Sequence, residues 1–237
     1  MNKNIRSIID RAEELLNDLE LEYNECLSSH NVSERAINIT HEVLEKLRNG
    51  LDQSMRLFWE KFICPLLTDK EREKARVYFP ITDKGLEAFH SILGQGKMKD
   101  LNTTHPRMYS FLLDLQPFRS TDNKWLFNLR EIANKGEHIN LIPQTRIEVI
   151  NQINISDNNR NSISWNPSNV TFGSGVGVLN APIDPNTQRI IPTPGITEQI
   201  EVWVSFILED YGINALGFCK EVSKKIRKLI NNMFKLF

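Results

Sequence analysis

No stretch of this chain approaches the roughly 18 uninterrupted apolar residues that a membrane-spanning helix needs. Nor does one sign of charge dominate, since 29 basic side chains stand against 30 acidic ones for a formal charge of -1. A chain so balanced exerts no global pull on nucleic acid or on an anionic membrane, so any such attraction must be local. Cysteine is scarce: Cys26, Cys64 and Cys219 match neither a zinc spacing nor an even disulfide framework. The opening residues lack the apolar run of a signal peptide, because Asp10, Glu13 and Glu14 stand where it belongs. These shortages predict a cytoplasmic protein with reduced thiols and no transmembrane segment. The sequons at Asn31, Asn38, Asn102, Asn154 and Asn169 then read as chance matches.

What is present is ordinary globular material, with 40% hydrophobic and 25% charged residues over 237 positions, enough to bury a sizeable core. Apolar residues from Ile5 to Leu27 recur at three- and four-residue steps and predict an amphipathic helix. A turn follows, and Ser33 opens a second periodic run that continues to about Cys64 before Pro65, so the two pair as a long helical hairpin. Beyond it the sequence predicts helical pieces at Asp69 to Ala75, around Gly85 to Leu93, at Tyr109 to Leu115 and from Lys124 to about Glu137. Between them Val77 to Ile81 reads as extended, because Pro80 keeps Phe79 out of helical geometry.

After Pro143 the pattern changes to alternation punctuated by Asn, Ser, Gly and Pro. Candidate strands are Arg146 to Ile155, Ser162 to Trp165, Val170 to Phe172, Gln188 to Ile191 and Gln199 to Leu208. The glycines at 173, 175 and 177 read as a turn, since no Gly-Lys-Ser/Thr follows. The chain returns to helix from about Asn214. The expected architecture is α+β: a helical bundle over 1–143, a small antiparallel β region over 144–211, and a basic amphipathic helix over 212–237 packing back on the bundle.

Three side chains just past the middle of the chain carry the clearest chemistry. Arg130, Asn134 and His138 fall at i, i+4 and i+8 and share one broad helix face. On the second helix, His41, Arg48 and Asp52 also share a face, with Arg48 and Asp52 spaced for an i,i+4 ion pair. Facing each other, the two sets form either a satisfied polar network that fixes helix register or a phosphodiester-cleaving site. In the second case His138 is the general acid or base, and Arg130 or Arg48 steadies the phosphate without a metal. Neither a metal site nor a cofactor is expected. The last helix supplies the one local charge asymmetry, with Lys224, Lys225, Arg227 and Lys228 as candidate nucleic-acid contacts.

Four ordered landmarks carry a resemblance. They are Leu47-Arg48-Asn49-Gly50-Leu51-Asp52-Gln53, Phe79-Pro80-Ile81, Gln116-Pro117-Phe118, and Asn134-Lys135-Gly136-Glu137-His138 ahead of Leu141-Ile142-Pro143. Over about residues 40 to 230 the chain resembles a widespread family of uncharacterised bacterial proteins that show Leu-Arg-Ser-Ala-Leu-Asp-His, Phe-Pro-Ile, Gln-Pro-Tyr and Asn-x-Asp-Lys-His-Arg. It is distantly similar to the HEPN class of helical proteins, many of them toxin and antiviral ribonucleases. This chain departs from the family with Gln53 at its first histidine, Gly136 and Glu137 at its Asp-Lys, and Ile139 at its Arg.

The resemblance carries Arg48, Asp52, Asn134 and His138 over as site residues, and implies a HEPN-like bundle with a protein partner or homodimer. The favoured functional reading is a non-enzymatic binding or sensing protein, and the resemblance implies its setting as an accessory of a bacterial stress or antiphage system. A metal-independent endoribonuclease centred on His138 is the alternative. An RNA-binding module using the last helix is the second alternative, whereas peripheral membrane contact by that helix is not expected.

Overall fold

The periodic apolar residues of the first sixty positions form two long helices, α1 (Lys3–Ser29) and α2 (Glu34–Phe62), which pack against each other. Ser33 starts the second by accepting the Ala36 N–H on its hydroxyl at 3.0 Å, satisfying one of the orphan donors of a helix N-terminus. Where the helices approach, a Cβ on Gly50 would lie 2.7 Å from Ile9 Cδ1, so a larger residue there would require the Ile9 side chain to shift. These observations come from a computed structural model that describes residues 2–29, 31–136 and 141–236.

The chain divides into two units, Met1–Thr145 with Phe206–Phe237, and Arg146–Ser205. The first is helical. Besides the hairpin it contains α3 (Asp69–Lys74), α4 (Leu86–Gln95), α5 (Leu101–Thr104), α6 (Pro106–Asp114), α7 (Lys124–Gly136) and α8 (Ala215–Met233). Asn214 caps α8 by accepting the Gly217 N–H at 2.7 Å, and the helix then lays Phe218, Val222, Ile226 and Ile230 into the core against α1 and α2. The largest fully buried side chains, Phe58, Phe79 and Phe89, are also in this unit. Among the described residues, no helix is long and apolar enough to cross a membrane.

The second unit holds most of the strands: β1 (Gln144–Asp157), β2 (Ser162–Trp165), β3 (Gly177–Val178), β4 (Ala181–Asp184), β5 (Arg189–Ile190) and β6 (Ile196–Leu208). A short β7 (Ile213–Asn214) pairs with the end of β6 in the helical unit, Leu208 opposite Ile213. Strand order is β2-β1-β6-β7 in one sheet and β3-β4-β5 in the other. The small core of the second unit gathers Ile153, Ile155, Trp165, Val178 and Ile183.

The fold is thus α+β with small antiparallel sheets and a C-terminal helix. In detail, the β region forms two sheets, and the stretch from Val170 to Phe172, expected as a strand, belongs to neither. The reason is local. Phe172 donates its N–H to Gln188 Oε1 at 2.7 Å and accepts from Gln188 Nε2 at 3.1 Å, so one side-chain amide supplies the two bonds a neighbouring strand would have made.

Candidate functional site

The site begins with a segment that has no regular partner. Residues 77–82 run extended between α3 and α4, and buried backbone groups there must find hydrogen bonds outside any ladder. Pro80 removes one donor outright. Side chains from three helices supply the rest.

From α2, Arg48 Nη2 donates to the Phe79 carbonyl at 3.2 Å and pairs with Asp52 Oδ1 at 3.0 Å. Asp52 Oδ1 in turn accepts the Phe79 N–H at 2.7 Å, so this i,i+4 pair grips both polar groups of one residue. From the end of α6, buried Gln116 donates to the carbonyls of Pro80 at 2.8 Å and Leu112 at 2.7 Å, and accepts the Thr82 N–H at 3.0 Å. From α7, Arg130 Nη1 donates to the Ile81 carbonyl at 2.5 Å, while its Nε and Nη2 reach Glu131 at 3.0 and 2.6 Å. The same guanidinium lies 4.9 Å from the centre of the Phe127 ring.

The pinned segment forms one wall of a cleft of about 700 Å³ in the helical unit. That size is in the range of small-molecule sites. Arg48, Asp52, Arg130 and Asn134 all line it, so the structure brings four of the five candidate catalytic positions together. The fifth, His138, lies outside the described residues. Buried Phe79, Ile81 and Ala133 make an apolar floor, and Lys46, Asn49, Tyr78 and Gln95 stand around it.

The roles differ from those the helix spacings suggest. Arg48 and Asp52 hold the Phe79 backbone, whereas the Asn134 side chain makes no hydrogen bond among the described residues. The side chains of Lys46, Asn49 and Gln95 likewise make no hydrogen bond or ion pair among the described residues. Sequence reasoning missed Gln116, Lys46 and Asn49 as participants. The available signal for Gln116 was its adjacency to Pro117, which marks a helix end where a side chain can reach across to another loop.

His41 is separate from this cluster. It is buried at 3% exposure, and its Nε2 accepts the Ile142 N–H at 2.9 Å. Burial lowers its pKa, so the ring is neutral at pH 7, with the proton on Nδ1 because Nε2 is the acceptor. On α1, Tyr23 donates to Gln144 Oε1, shares a 3.2 Å hydrogen bond with Thr40, and stacks on Phe206 at 4.2 Å. Cys219 is fully buried and its thiol pKa is pushed up to about 12, which removes it as a nucleophile.

On α8, Arg227 binds Glu13 at 2.8 Å and Asp10 at 2.6 Å, and those bonds raise its pKa. Lys225 pairs with Glu221 at 2.5 Å and sits 5.2 Å over the Trp125 ring. Lys224 and Lys228 remain on the surface without an ion pair among the described residues. No group of three or more His, Cys, Asp and Glu side chains able to hold a metal ion occurs among the described residues. Comparison with known proteins finds no family model, no curated protein and no solved structure that matches the chain.

Proposed function

We propose that this protein is a non-enzymatic binding or sensing protein whose ligand occupies the cleft between α2, α7 and the extended segment at 77–82. The observation that supports this reading is the division of labour among the cleft's polar groups. Both guanidiniums are engaged with backbone carbonyls and carboxylates, so they maintain the wall instead of waiting for a phosphate. The side-chain amides of Asn49, Gln95 and Asn134 and the Lys46 ammonium line the cleft without a partner among the described residues, above an apolar floor. Unpaired polar groups around an apolar floor are how small-molecule sites fix the orientation of what they hold. The setting, an accessory of a bacterial stress or antiphage system, is part of the proposal and rests on the HEPN resemblance alone.

The test is a thermal-shift screen of nucleotides, amino acids and organic acids against the wild type and the Lys46→Ala/Asn49→Ala variant. At least one compound is expected to raise the melting temperature of the wild type and not of the variant. If no compound does so, the cleft-binding reading is wrong.

A second reading, a metal-independent endoribonuclease, is favoured by one fact: Arg48, Arg130 and Asn134 share the cleft from whose α7 wall the chain continues to His138. Incubation with total RNA in EDTA decides between them. The binding reading expects intact RNA, and cleavage that disappears in His138→Ala transfers the conclusion to the nuclease. The RNA-binding reading retains Lys224 and Lys228 as its unpaired cations, and it expects salt-dependent RNA binding that is lost when both are replaced by Ala.

A further inference from the structure

The β unit contains a ribbon with exposed residues on both of its strands. Along β1, Ile147, Glu148 and Val149 are all exposed, and along β6 so are Glu201, Val202 and Trp203. Consecutive strand residues point to opposite faces, so both faces of the ribbon are open at this level. One face is strongly apolar. Asn151 and Trp203 both donate to Glu201 Oε1, at 3.0 and 2.8 Å, which gathers these three on one side. Alternation adds Val149 and Ile147 to it. Ile147, Val149 and Trp203 are 43%, 49% and 60% exposed.

The edges are open as well. β2 pairs with β1 only from Ile153 to Ser156, so among the described residues 146–152 carry no strand on that side. An isolated two-stranded ribbon is marginal in water, and a long edge without blunting devices is a template for another strand. Residues 144–152 contain no Lys, Pro or Gly that would blunt it.

The order of charges on this edge indicates the partner. Arg146 and Glu148 flank Ile147 on the same face and pair with each other within the chain. If a second β1 is laid antiparallel about a two-fold axis through Ile147, Arg146 falls opposite Glu148 of the second copy. Glu148 then falls opposite the second Arg146, and Ile147 meets its own equivalent. Cross-strand pairs of opposite charge and apolar pairs are the favourable units of such a sheet. The open edge of β6 offers no such match, because between residues 199 and 205 its one charged residue is Glu201.

We infer that the protein self-associates through this edge, β1 pairing with β1 of a second copy about Ile147 to make a continuous β6-β1-β1-β6 sheet. The contact is isologous and closed, as a two-fold dimer requires. It is independent of the ligand proposed for the helical cleft.

Sedimentation of the full chain over a wide concentration range tests it. The expected result is a species of twice the 27.5 kDa chain mass. Ile147→Asp, which sets two carboxylates face to face at the axis and removes the apolar contact, is expected to weaken the dimer by more than about tenfold. The far-UV spectrum should be unchanged, because the side chain is exposed in the single chain. Arg146→Glu is expected to weaken association, and the Arg146→Glu/Glu148→Arg exchange to restore it. A monomer at every concentration overturns the inference, including the case in which the ribbon serves a different protein. So does a dimer indifferent to Ile147→Asp, or a charge exchange that fails to rescue.

Discussion

In the helical unit, the irregular segment at 77–82 is held by side chains 27 to 49 residues away: Asp52 on Phe79, Gln116 on Pro80 and Thr82, and Arg130 on Ile81. In the β unit the turns hold themselves. Asp157 accepts from the N–H groups of Asn159 and Asn161, Asp184 from that of Asn186, and Gln188 donates to Pro185 three residues back. The first arrangement makes one loop depend on the assembly of three helices, whereas the second lets each loop form with its own neighbours. The cleft therefore exists only once the bundle has assembled. The β unit relies instead on a small core, and so responds most to the loss of a single large side chain.

The largest expected effect tests that last statement. Trp165 is 6% exposed and meets Phe172 edge to face at 5.1 Å, so Trp165→Ala should cost about 3–5 kcal/mol. Unfolding followed by circular dichroism should then show the strands lost before the helices. If the helical signal falls in step, the two units melt as one block and the contrast is lost.

Next in size is Gln116→Leu, which keeps the volume but strips partners from the Thr82 N–H and the Pro80 carbonyl. A loss of about 2–3 kcal/mol is expected in urea unfolding. A change no larger than that of a helix cap would mean that distance along the chain does not matter here.

The pH dependence of the helical unit is smaller still. Burial holds His41 neutral, with its folded pKa below the ordinary 6.5. Below that value the unfolded chain binds the proton more readily, so this contribution is intact above pH 6.5 and declines as pH falls through and below it. The slope is at most about 1.4 kcal/mol per pH unit. His41→Gln should narrow its stability deficit toward the wild type as the solution is acidified, and a deficit constant with pH would rule this out. The smallest effect is expected from Asn214→Ala, which removes a local cap from α8 at about 1 kcal/mol, readable as a shift in urea midpoint.

Much of the helical unit was legible because helices announce themselves locally. The three- and four-residue steps marked α1, Ser33 marked the start of α2, and Asn214 marked that of α8. The two-residue β3 and β7 offered too short an alternation to be read, and Val170 to Phe172 looked like a strand because its residue types suit one. At the cleft, the spacing i,i+4 correctly paired Arg48 with Asp52. It could not show that their further partner is a backbone 27 residues on. His41 shares their face by arithmetic, yet its bond goes to Ile142, about 100 positions away, a contact that only tertiary structure selects.

The grip of Arg48 and Asp52 on residue 79 touches main-chain atoms alone. It is therefore indifferent to which amino acid occupies that position. Exchange of Phe79 for another bulky apolar residue leaves both bonds available, whereas a change at either charged position forces a compensating change at the other. Among descendants of this sequence, positions 48 and 52 should drift together, and position 79 should answer only to the packing beneath it.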